Sequence, residues 1–114
     1  MKKIRIAGVP EHFNLPWRLA IETNKFAKQG IEMEWKVFPG GTGAMTKALR
    51  NNETDVAVLL TEGAVADIIK GNPSKIIGQY IASPLVWGIH TGSQSHFTDY
   101  KELNKKRFAI SRLG

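Results

Sequence analysis

The sequence predicts an α/β domain: a mostly parallel sheet with helices on both faces. Three observations predict it. Strand-like and helix-like stretches alternate as β-α-β-α-β-α-β, the order that demands parallel pairing with right-handed crossovers. The strand-to-helix junctions are rich in small residues, Pro39-Gly40-Gly41-Thr42-Gly43 and Glu62-Gly63-Ala64. One stretch, Val56-Ala57-Val58-Leu59-Leu60, is apolar without alternation, as in a strand buried on both faces, and is expected at the sheet centre. At 114 residues the chain holds one domain, or one domain and a fragment of a second.

Lys3-Ile4-Arg5-Ile6-Ala7-Gly8-Val9 alternates and reads as the first strand. Pro10-Glu11-His12-Phe13 is a loop, after which Asn14 is placed to cap a helix with Pro16 in its first turn and Gly30 as its stop. Trp17, Ala20, Ile21 and Ala27 share its apolar stripe. Ile31, Met33, Trp35 and Val37 alternate with Glu32, Glu34 and Lys36, the pattern of a half-buried strand at a sheet edge. The glycine loop follows, with Thr42 as the expected N-cap of a helix reaching about Asn51, its Met45, Ala48 and Leu49 turned inward. After the apolar strand, Thr61 opens a helix with Val65, Ile68 and Ile69 on one face and Gly71 as its stop. Residues 75–81 and 85–90 read as further strands, a short helix falls around residues 99–103, and a strand is expected at 107–110.

In a sheet of this order ligands bind beyond the carboxyl ends of the strands. The small and polar residues gather in the loops that emerge there. Three glycines in four positions (Gly40, Gly41, Gly43) let backbone N–H groups approach a bound group closely. A helix N-terminus adds unpaired donors and partial positive charge, a seat for an anion or a polar ligand. His12 stands where a ligand contact or a reactive imidazole would sit, or serves as an ordinary loop residue. Glu11 and Glu62 suit an ammonium group, or simply favour a helix start. Trp17 and Trp35 are expected in the core, and Phe13 at the binding edge. The glycine loop lacks the Lys-Ser/Thr of a P-loop, and no GxGxxG follows the first strand.

Composition removes other classes. With no cysteine, disulfides, thiolate metal sites and cysteine nucleophiles are excluded. The three histidines are far apart and form no HExxH-like pair, so neither metal nor cofactor is expected. The net charge is +6, but only Lys105-Lys106-Arg107 form a run, whereas a nucleic-acid footprint is a patch or stripe; no nucleic-acid partner is expected. Met1-Lys2-Lys3 begins like a signal peptide, yet the apolar run that follows is short and contains Arg5.

The ordered set Ile4-Arg5-Ile6-Ala7-Gly8, Phe38-Pro39-Gly40-Gly41-Thr42-Gly43, Asp55-Val56-Ala57-Val58 with Glu62-Gly63-Ala64, and 100–111 resembles type 2 periplasmic binding proteins. These are the substrate-binding components of ABC transporters, and the likeness is greatest to the sulfonate, nitrate and thiamine-precursor group. The resemblance implies a first lobe over 1–83, a crossing near Ser83-Pro84, and an incomplete second lobe over 84–114, with ligand held between lobes by hinge closure. It implies ligand-facing residues at Glu11, His12, Phe13, Gly40, Gly41, Thr42, Gly43, Thr61, Glu62 and Ser83, with Ser111 and Arg112 from the second lobe. Arg112 suits a carboxylate, sulfonate or phosphate, which a guanidinium meets bidentately.

Members of that group are more than twice this length and usually carry an export signal. The chain stops at what reads as another strand-to-helix turn and is therefore expected to be an N-terminal fragment. The expected function is that of a non-enzymatic solute-binding protein for a small polar ligand, anionic or neutral, partnered by an ABC permease. The resemblance places it in the periplasm; a chain natively without a signal would be cytoplasmic. The alternative is a cytoplasmic enzyme of thiamine-pyrimidine-like precursor metabolism on the same fold, with His12 reactive, although that branch depends on a cysteine-rich motif this sequence lacks. Exposed strand edges in the C-terminal segment are expected to favour a homodimer.

Overall fold

The computed structural model describes residues 1–110. Contacts among them cluster into two units, Met1–Gly78 and residues 79–110.

The first unit is built on β1 (Lys2–Gly8), the middle strand of a three-stranded parallel sheet ordered β2-β1-β3. β2 (Ile31–Val37) pairs along the whole of β1, from Lys2 opposite Ile31 to Gly8 opposite Val37. β3 (Val56–Ala57) pairs through Ile6 and Ala7 only. This register puts the apolar set of β2 on the same face as Ile4, Ile6 and Gly8. Glu32, Glu34 and Lys36 then share the opposite face with Lys3, Arg5 and Ala7. Ile6 is 1% exposed and its neighbour Ala7 0%. Consecutive residues of a strand face opposite ways, so both faces are covered at the sheet centre. On one face Trp35 stacks on Trp17 of α1 (Leu15–Glu22), with ring centroids 6.4 Å apart, and Trp17 stacks in turn on Phe26. On the other face Met45 of α2 (Thr42–Arg50) is buried with Ala7 and Val9.

Several expectations change here. The strand expected at the centre, 56–60, forms only the two-residue β3 on the outer side, and β1 takes the centre. A strand buried on both faces also needs a ladder on each edge, and residues 75–81 form none. The helix expected from Asn14 to Gly30 stops at Glu22. There the Thr23 hydroxyl donates to the Leu19 carbonyl and Asn24 turns left-handed (φ 57°). A single 3₁₀ turn, Ala27–Gln29, then leads to Gly30 at φ 74°. Asn14 does precede α1, but its side chain makes no cap bond; its Nδ2 donates to the Val9 carbonyl (2.9 Å). α3 (Thr61–Ile69) leaves Val65 and Ile69 exposed. It is tied to α2 by Arg50, whose guanidinium grips the Asp67 carboxylate, and by the buried Asn72, which reaches both Asp67 and the Thr46 carbonyl.

One ion pair closes the sheet across 50 residues of sequence. The Asp55 carboxylate accepts from Arg5 Nη2, Nε and backbone N–H at 2.8, 3.0 and 2.8 Å. Hydrogen bonding from the Arg5 side chain, then from its backbone, lowers the Asp55 pKa from 3.8 to about 2. A depressed carboxylate contributes stability that is complete above the unfolded value and lost as pH falls through the folded one. Stability should therefore decline as pH drops from about 4 to about 2. Asp55→Asn should flatten that decline in acid titrations followed by circular dichroism, and salt should weaken the wild-type effect because both partners are partly exposed. An unchanged slope in Asp55→Asn would assign the acid sensitivity to other carboxylates.

In the second unit the regular element among the described residues is a 3₁₀ turn, Tyr100–Leu103, within the expected short helix. It opens with a capping box: Asp99 accepts from the Lys101 N–H, and Glu102 accepts from the N–H groups of Thr98 and Asp99. Those backbone donors hold the Glu102 carboxyl below its usual range. The strands expected at 85–90 and 107–110 are not formed; alternation supplies a face but not a partner strand.

Candidate functional site

The carboxyl ends of β1 and β2 are joined by a backbone bond from Phe38 N–H to the Gly8 carbonyl (2.8 Å), and the chain beyond β3 is held by Val58 N–H to the Ala7 carbonyl (2.8 Å). These bonds fix where three loops begin. The first carries Glu11 and His12, both exposed, and Phe13 in a 3₁₀ turn (His12–Asn14). His12 sets its ring edge-on to Phe13, with centroids 5.7 Å apart. Phe13 itself packs with Phe38 against the Ala7, Val9 and Met45 cluster, so it forms part of the floor beneath the loops. Asn14, 2% exposed, holds the Val9 carbonyl from below.

The second loop is Gly40 to Gly43. Gly41 N–H closes a turn onto the Phe38 carbonyl (3.1 Å), and Gly41 sits at φ 78°, where an L side chain is strained. Gly41, not Thr42, is the N-cap of α2; Thr42 is the first helical residue. Its hydroxyl turns instead to the third loop and accepts from the Leu60 N–H (3.4 Å). Thr61 and Glu62 are exposed in the first turn of α3, and Gly63 follows against Thr42. A Cβ on Gly63 would overlap Thr42 Cγ2, so the start of α3 lies against the start of α2 because position 63 carries no side chain. Neither Gly41 nor Leu60 offers a side-chain acceptor to the first-turn N–H groups of its helix. Two helix N-termini with uncapped donors thus stand side by side, beyond the strand ends.

Among the residues singled out from the sequence, Gly40, Gly41, Thr42, Gly43, Thr61 and Glu62 are brought together here, and Glu11, His12 and Phe13 stand at the neighbouring strand end. Ser83 lies in the second unit. Ser111 and Arg112 lie outside the described residues. Gly63 meeting Thr42 and Asn14 acting on Val9 were not legible in residue pattern, because both depend on tertiary contact. Among the described residues no group of three or more His, Asp or Glu is placed to hold a metal ion, and no helix is long and apolar enough to cross a membrane.

No family model matches the chain, and no curated protein matches it. Among solved structures it is similar to the Candida albicans CA3427 gene product, described as defining a new family of proteins that exhibit the generic periplasmic binding protein structural fold. The two are 35% identical, with a TM-score of 0.59, over 63% of this chain. Over that stretch the chain has the same fold. The matched part is 24% of the Candida protein, so the chain spans about a quarter of that protein's length. In the periplasmic binding protein fold, as in other open parallel sheets, the strand ends are the place for a ligand, and here they carry the three loops just described.

Proposed function

We propose that the chain is the first lobe, residues 1–83, of a two-lobed solute-binding protein that captures a small polar ligand, with residues 84–114 beginning the second lobe. The single observation that carries this reading is the pair of adjacent, uncapped helix N-termini at Gly41–Thr42 and Leu60–Thr61. Their donors suit an oxyanion, in keeping with the likeness to the sulfonate, nitrate and thiamine-precursor group, and the closing lobe would supply the remaining contacts. Delivery of the ligand to an ABC permease completes the proposal.

Titration with sulfate, a small sulfonate, nitrate and an aminopyrimidine tests it, read by amide NMR. The glycine amides of Gly41, Gly43 and Gly63 should shift together with one ligand class. Binding by half a site should be weak, near millimolar, or about −4 kcal/mol. At a tenfold excess over Kd the ligand should stabilise the fold by about 1.4 kcal/mol, raising the melting temperature by a few degrees. Shifts confined to other parts of the chain, or none with any ligand, would overturn the assignment of this site.

A further inference from the structure

We infer that Gly63 and Thr42 are positioning residues: together they set the gap between the starts of α2 and α3, and with it the size of the oxyanion that both helices can hold at once. The inference rests on the ligand reading above and adds to it what selects the ligand. A Cβ on Gly63 would overlap Thr42 Cγ2 and lie 3.4 Å from Thr42 Cβ. The Thr42 methyl thus occupies the space that a side chain at position 63 would take. The other branch of the same side chain, the hydroxyl, accepts from the Leu60 N–H (3.4 Å). Both branches of Thr42 are therefore committed to the start of α3. Turning χ1 to move the methyl would also carry the hydroxyl away, because both sit on one carbon.

The far ends of the two helices are joined as well. Arg50 of α2 grips the Asp67 carboxylate of α3, and Asn72 bridges Asp67 and the Thr46 carbonyl. With that end pinned, a change in bulk at the Gly63–Thr42 contact is taken up as an opening or closing of the gap at the helix starts. The consequence for a ligand is steric. Backbone donors fixed at a set separation favour the ion that spans it, and a wider gap leaves a smaller ion short of its donors. Nitrate is flat and small, whereas sulfate is tetrahedral and bulkier, so the pair reads the gap.

Moving one methyl across the contact tests the inference. Gly63→Ala adds a methyl against the one on Thr42, and Thr42→Ser removes that one while keeping the hydroxyl. The double variant transfers the methyl from position 42 to position 63 and leaves the packed volume unchanged. Alanine is the better helix former, so in an uncrowded helix Gly63→Ala would raise the melting temperature. Here it should fall, and Thr42→Ser should bring it back. Titrations with sodium nitrate and sodium sulfate, followed at the Gly41 and Gly43 amides, read the gap directly. Gly63→Ala should shift the ratio of the two dissociation constants toward sulfate about tenfold, the scale of one methyl's misfit, and the double variant should return to the wild-type ratio. Thr42→Ser alone empties the contact without crowding it and should move the ratio toward nitrate, so it reads the contact even where the crowded variant unfolds. A merely structural contact would change the melting temperature without moving the ratio; that result overturns the inference and leaves the ligand reading standing. So does a ratio that the double variant fails to restore. A folded wild type that binds neither ion overturns the oxyanion reading, and this inference with it.

Discussion

Met45→Ala is expected to remove about 2–5 kcal/mol of folding stability. Met45 is 1% exposed and joins Ala7 of the central strand to Val9 at its end, with Phe13, Phe38, Ala57 and Leu59 packed around them. α2 has nine residues, too few to persist as an isolated helix, so its place depends on this packing. A domain of this size has a total of about 5–10 kcal/mol to lose, and the substitution should bring it close to unfolding at room temperature. Urea denaturation followed by circular dichroism measures the cost as a fall in midpoint at unchanged slope. Met45→Leu, which keeps the volume, should cost less than about 1.5 kcal/mol. A Met45→Ala cost no greater than that would mean that α2 is held by its ends and not by its core contact. Loosening α2 should also weaken any ligand response at Gly41 and Gly43, which lie one turn away.

Gly8→Ala acts from the opposite face of the same strand. A Cβ there would overlap Cη2 and Cζ2 of the Trp35 ring, with Asn14 Nδ2 only 3.1 Å away. Trp35 cannot readily yield, because Trp17 is stacked on it and Phe26 lies beyond. β1 cannot readily yield either, since the Gly8 carbonyl accepts from Phe38 N–H and Gly8 lies in register with Val37. Overpacking of this kind costs about 1–3 kcal/mol. Its signature is coupling: in Gly8→Ala with Trp35→Leu, the smaller side chain leaves room for the methyl. The pair should then cost less than the sum of the two single changes by about 0.5 kcal/mol or more. Strict additivity in urea denaturation would show that the strand relieves the overlap by shifting its backbone.

Much of this fold could be read from residue pattern. The alternation of Ile31, Met33, Trp35 and Val37 marked an edge strand, and β2 is one. Gly71 marked a helix stop, and it follows the end of α3 with positive φ, whereas the helix expected to reach Gly30 ends at Glu22. The order of elements placed the glycine loop and the Thr61 turn at strand ends. What pattern could not supply was partnership. Val56 to Leu60 carries the composition of a central strand, yet centrality depends on a ladder that residues 75–81 do not form. Thr42 has the chemistry of an N-cap, but Gly41 takes the cap through its backbone, and the Thr42 hydroxyl serves a contact 18 residues away. Such roles are set by tertiary distance, which local sequence does not encode.

The centre of the sheet is also the earliest of its three strands in chain order. β1 ends at Gly8, but its two neighbours begin at Ile31 and Val56, and the Arg5–Asp55 clasp spans 50 residues. Until the chain has grown past residue 57, Ile6 and Ala7 have at most half their sheet. The sheet therefore cannot zip outward from a local hairpin; it forms by capture of an early strand by later ones, a non-local step that loop-closure entropy slows. Over that interval β1 is a bare apolar strand, open to wrong pairing until its later neighbours arrive.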